Sequence, residues 1–199
     1  AGSNAIMLSN PGNAFGGTIS LTGGAVNVAS QGNMVVSALS QSSDSALSLA
    51  AGGQLVLPNA AFDTGTAAMS LRSNGGALST AGALSAGQIS LTGRDGVFLA
   101  HDATTAGTLS LNSGATILQA SGALTAGSLS GSSAGDTVLV NAGNQIASVG
   151  NFNARNFTLA SSVPLTVTGL LSAGNISLSS ATGTTVVTGA LSASGRTTI

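Results

Sequence analysis

The amino-acid sequence predicts an all-β fold, a parallel β-helix with about 20 residues and three short strands in each coil. Three observations predict it. A motif of the form x-[Ile/Leu]-Ser-Leu recurs at nearly constant spacing. The apolar segments are far shorter than the ~10–14 residues of an average helix. The chain is rich in small residues, with 29 glycines, yet it is 43% hydrophobic with a net charge of −1. Disorder requires low hydrophobicity, usually with high net charge, and neither holds here.

The repeat is clearest in three consecutive blocks, AGQISLTGRDGVFLAHDATT (86–105), AGTLSLNSGATILQASGALT (106–125) and AGSLSGSSAGDTVLV (126–140). Two more follow at 154–172 and 173–192, and looser copies lie at 17–23, 45–52 and 67–74. The first apolar residues of the motifs are Ile19, Leu47, Met69, Ile89, Leu109, Leu129, Phe157 and Ile176, at steps of 28, 22, 20, 20, 20, 28 and 19. The two long steps predict longer coils or inserted loops near 31–45 and 141–153 in an otherwise single repeat domain spanning 1–199.

Each period holds three apolar segments. The first alternates: in GQISLTG, Ile89 and Leu91 share one face, and Gln88, Ser90 and Thr92 the other. The second (VFLA, ATILQA, TVLV, PLTVT, TTVV) is apolar at consecutive positions, so its phase is open. The third (GALS, GALT, GLLS, GALS) places Leu84, Leu124, Leu171 and Leu191 five residues before the next motif. An Ala-Gly pair at 86–87, 106–107, 126–127 and 173–174 precedes the first segment, and its glycine is expected to supply a positive φ. Such a unit cannot bury its apolar face alone. Stacking each strand on its equivalent one coil below, ~4.8 Å away, buries it, and nine or ten coils give a rod about 45 Å long. A β-propeller repeats every ~40–50 residues, and a leucine-rich repeat needs a helix and its Asn/Cys signature.

Composition excludes several roles. Charged residues are 5% of the chain, all Asp or Arg, against ~25% typically. Four scattered arginines make no electrostatic footprint for nucleic acid or an anionic membrane surface. With no cysteine there is no disulfide scaffold and no Cys-ligated zinc. No run approaches the ~18 apolar residues of a membrane-spanning helix. No basic stretch precedes a hydrophobic run at the N-terminus, which suits a piece of a longer protein or a processed product. Residues 193–199 read as the opening of another coil, and Ala5 to Leu8 as a strand with nothing before it. The ends are therefore expected to associate end to end or to need a partner.

The segment Asn13-Ala-Phe15-Gly-Gly17-Thr-Ile19-Ser-Leu21-Thr-Gly23 resembles the "N-x-F-x-G-x-v-S-L-x-G" repeats of filamentous-haemagglutinin-like proteins of Gram-negative bacteria. Asn144-Gln-Ile146-Ala-Ser-Val149-Gly-Asn-Phe152, running into Phe157-Thr-Leu159, resembles another unit of the same proteins. The resemblance covers essentially the whole chain. It implies a right-handed β-helical rod, exported across the outer membrane through a dedicated transporter or its own barrel, and serving at the cell surface or secreted as an adhesin shaft. It implies no receptor, since this chain shows no tip domain.

The chemistry-bearing residues are few and mostly suit structural roles. His101-Asp102 lacks the convergent partner and cleft that acid–base chemistry requires, and reads as a polar corner. Asp44, Asp63, Asp95, Asp102 and Asp136 are too dispersed to supply the ~6–8 oxygens of a calcium site. Asn156-Phe157-Thr158 and Asn175-Ile176-Ser177 match the N-glycosylation pattern by chance, in columns already rich in Asn, Ser and Thr. The outer face of the first strand is the most informative surface. It is expected to carry a ladder of Ser20, Ser70, Ser90, Ser110, Ser130, Thr158 and Ser177. Thr108, Asn112 and Asn175 fall in its flanking columns, and Arg72 is the one charge on it. The leading functional expectation is a shaft segment without catalysis, cofactor or metal. The alternative is a solenoid binding a glycan or ice through this face, or packing against neighbouring rods. A polysaccharide-active enzyme is the weakest reading, since such enzymes cluster Asp, Lys and Arg and this chain has no Lys or Glu.

Overall fold

The computed structural model describes residues 4–199. Among them there are strands and turns and no helix. The strands stack in parallel about 20 residues apart, forming a β-solenoid of about ten turns. One column runs from end to end: Ile6, Val26, Leu47, Met69, Ile89, Leu109, Leu129, Val149, Val167 and Val187 are successive Cα partners.

In the middle of the rod each coil has three faces. The first is formed by Leu47–Ala51, Ala68–Ser73 and Gln88–Gly93, continued by the later parts of Ala103–Ser113 and Leu124–Ser133. The second is formed by Leu78–Ser79, Val97–Leu99, Ile117–Gln119 and Thr137–Leu139. The third begins with Phe62–Asp63 and Leu84–Ala86. The alternation expected of the first face holds, with Ile89, Leu91, Leu109, Leu111 and Leu129 fully buried. The second face also alternates. Val97, Leu99, Ile117 and Leu139 point inward, whereas Phe98, Leu118 and Val138 stack on one another outside. An apolar outer row there is why the sequence gives no phase for this segment.

The expected insertions do not exist. Met34–Gln41 is a strand in a three-stranded parallel sheet with Thr18–Gly23 and Leu55–Val56, and residues 145–153 belong to the strand Gln145–Ser161. Val26 pairs with Leu47 and Leu129 with Val149, so the two coils in question hold 21 and 20 residues. The steps of 28 arise because the motif changes face. Phe157 stacks on Thr137 of the second face, eight residues beyond Leu129, and Ile19 pairs with Val36, not with a first-face residue.

The change of face is built at a bulge. Leu129 pairs with Val149 but Gly131 with Phe152, so the upper strand gains one residue. Gly131 has φ 142°, and a Cβ there would collide with the Leu111 carbonyl oxygen. Phe152 stands over this glycine and Phe157 over the small Thr137. Each large ring thus occupies volume that the coil below leaves free. The rings meet edge to face with centroids 4.9 Å apart at 60°, in the favourable geometry for aromatic pairs. Above the bulge, Leu171 and Leu191 stack on Phe152, whereas Leu84 and Leu124 lie on the third face, on either side of Ala103.

The Ala-Gly turns need glycine for a different reason from the one expected. Gly87, Gly107, Gly127 and Gly174 do not have positive φ; a Cβ on each would strike a carbonyl of the coil below. Close stacking of the coils excludes the side chain.

Candidate functional site

The first-face ladder is real but shorter than the motif suggests. Asn27, Ser48, Ser70, Ser90, Ser110 and Ser130 are successive partners on the outer face. Ser48 belongs to this ladder beyond the expected members, and its Leu-Ser-Leu setting is the signal for it. The ladder ends at Ser130, where the bulge begins. Thr158 lies on Val138 of the second face, with Ser177 above it. Ser20 pairs with Ala38 in the separate three-stranded sheet. Asn175 stacks on Asn156, likewise away from the first face. The single ladder of seven hydroxyls is therefore three separate groups.

The flanking column holds more chemistry. Arg72, Thr92, Asn112 and Ser132 are partners through four successive coils. Asn112 is held in place from both sides: its Nδ2 donates to Ser110 Oγ at 3.1 Å, and its Oδ1 accepts from Ser132 Oγ at 3.3 Å. Arg72 Nε donates to Asn74 Oδ1 at 2.5 Å, which fixes the guanidinium over the turn. Arg94 enters from the corresponding turn of the next coil, two residues past Thr92. Together these side chains line an open groove of about 300 Å³ with Ser73, Gly93, Ser113 and Gly114. No carboxylate and no apolar side chain lines it. Arg72 was legible on the face; Arg94 was not, because its approach depends on the turn.

The serines at the inner end of this strand hold the corner. Ser113 Oγ donates to the Thr116 carbonyl at 2.9 Å and accepts from the Ala115 N–H at 3.0 Å, and Ser133 Oγ donates to the Gly135 carbonyl at 2.7 Å. They anchor the backbone beneath the groove.

Comparison of the chain with protein-family models, with curated proteins and with solved structures returns no match. The remaining polar residues do local work. Asp44 accepts from the Thr66 N–H at 2.8 Å and from its hydroxyl at 2.9 Å, and these bonds hold its carboxyl below the ordinary value of 3.8. Asp63 accepts from Gly65 N–H and Asp102 from Ala123 N–H, while His101 is exposed beside it. Among the described residues no three His, Cys, Asp or Glu converge. Both sequon asparagines are rungs of a stack. Asn156 Nδ2 donates to Asp136 Oδ1 at 2.8 Å, and Asn175 Nδ2 to Asn156 Oδ1 at 2.7 Å.

Proposed function

We propose that this chain is a structural shaft segment of a secreted or cell-surface bacterial exoprotein of the adhesin type, doing no chemistry itself and passing an outer-membrane transporter during export. The uninterrupted column from Ile6 to Val187 supports this reading. A solenoid of this kind is stabilised by nearest-neighbour coils, so its length follows the number of repeats and every coil contributes the same mechanical role. The resemblance of the repeats to filamentous-haemagglutinin-like exoproteins supplies the setting.

The test is display on intact cells. An epitope inserted after Gly32, in an exposed turn where a Cβ on the glycine would meet nothing within 4 Å, is expected to label bacteria producing the parent protein without permeabilisation. Labelling should survive in-frame removal of residues 90–109, one coil. Labelling confined to lysed cells would overturn the reading.

A further inference from the structure

The two-arginine groove on the first face carries an inference that does not depend on the rod's being a shaft. We propose that it binds a carboxylate-bearing oligosaccharide, a chain of uronic acid residues lying along the rod axis. Two of the four arginines of a nearly uncharged chain converge on one groove, and no acid lines it. A guanidinium presents a planar fork of donors that matches a carboxylate bidentately. Arg72 and Asn74 both line the groove, and Arg72 Nε donates to Asn74 Oδ1 there. Arg72 pairs with Thr92, and Arg94 lies two residues further on, so the two cations sit on adjacent coils. Adjacent coils are ~4.8 Å apart. Two residues along a strand add up to ~6.6 Å across the axis, so the two guanidinium groups are far enough apart to meet the carboxylates of different sugars.

The rest of the lining suits sugar hydroxyls. Asn74, Thr92, Asn112 and Ser132 supply donors and acceptors, and Asn112 is preorganised by Ser110 and Ser132. Preorganisation lowers the ordering cost of binding. Other polyanions fit worse. The groove has no aromatic side chain on which a nucleobase would stack, and two cations release few counterions. It has no apolar pocket to anchor a peptide side chain.

The experiment is titration of the protein with tetragalacturonate, followed by calorimetry and by backbone NMR shifts. Binding with a Kd of about 1 mM or tighter is expected, with shifts centred on Thr92, Asn112 and Ser132. Arg72→Gln with Arg94→Gln should weaken it about tenfold or more, as loss of charge-assisted contacts does. Arg155→Gln with Arg196→Gln, which removes the same charge elsewhere, should leave it within about twofold. Circular dichroism and thermal melting verify that both variants are folded. Equal weakening by the two pairs would overturn the site, leaving only diffuse attraction. Undiminished binding of the methyl-esterified tetramer, or equal binding of tetra-aspartate, would overturn the ligand class. So would capture of a sulfated oligosaccharide with none of tetragalacturonate.

Discussion

Gln119 and Asn144, 25 residues apart, close a buried corner of the rod with a reciprocal pair of amide hydrogen bonds. Gln119 Nε2 donates to Asn144 Oδ1 at 2.7 Å, and Asn144 Nδ2 donates to Gln119 Oε1 at 2.9 Å. The same groups reach the backbone: Asn144 Oδ1 accepts from the Leu124 N–H, and Gln119 Nε2 donates to the Gly122 carbonyl. Two coils are thus joined by side chains that the apolar columns do not supply.

Asn144→Ala is therefore expected to destabilise the rod by about 2–4 kcal/mol, because it leaves the Gln119 amide and the Leu124 N–H buried with fewer partners. Gln119→Leu with Asn144→Leu should cost less than the sum of the two single changes, since only backbone groups are then left unmatched. Chemical denaturation of the four proteins gives the coupling; additive effects would show that the pair does not act as a unit.

Gly131→Ala should cost about 2 kcal/mol or more, because the residue has positive φ and no room for a Cβ against Leu111. Gly150, in the same bulge one coil above, meets nothing nearer than 3.6 Å, so Gly150→Ala should be neutral or stabilising by up to ~1 kcal/mol. Thermal melts of both variants separate a required glycine from an incidental one.

Leu109→Asp should unfold or aggregate the protein, since it places a charge in a fully buried column. Ser110→Asp should be tolerated on the outer ladder. Equal loss of soluble protein from the two would contradict the inward and outward phase of the first face.

Asp44 should contribute to acid stability. Its carboxyl titrates lower in the folded chain than its ordinary 3.8, because the Thr66 N–H and hydroxyl favour the charged form. The stabilisation is complete above the unfolded value and is lost as pH falls through the folded one. Melting temperature should hold level above about pH 5 and fall below it. Asn accepts the positive φ of 54° at this position, so Asp44→Asn removes the titration without straining the turn, and its acid slope should be shallower. Identical slopes would show that Asp44 does not contribute to acid stability.

The fold was legible because stacking imposes one period on three faces, and the 20-residue step is visible wherever consecutive coils carry the same motif, as from Met69 to Leu129. The phase of the first face was legible because Ile89 and Leu91 alternate with polar residues. The register above Leu129 was not. A strand reading x-Φ-Ser-Φ satisfies any face with one buried side, so Phe157-Thr-Leu159 resembles Ile89-Ser-Leu91 while stacking on Thr137-Val-Leu139. The determinant is a missing side chain at Gly131 and a one-residue bulge, which motif matching does not weigh. The same change of face divided the expected ladder and left Arg72, Thr92, Asn112 and Ser132 as the polar column that continues through the middle of the rod.

The register sets which residues share each face, and engineered cysteine pairs read it directly, because the chain has no cysteine of its own. Adjacent parallel partners lie within the ~4.4–6.8 Å Cα separation that a disulfide spans. Val138→Cys with Thr158→Cys is expected to cross-link on mild oxidation, as is Ser110→Cys with Ser130→Cys. Ser130→Cys with Thr158→Cys, the pairing that the motif alone suggests, should stay reduced. Cross-linking of the last pair without the first would contradict the change of face and restore a single hydroxyl ladder along the rod.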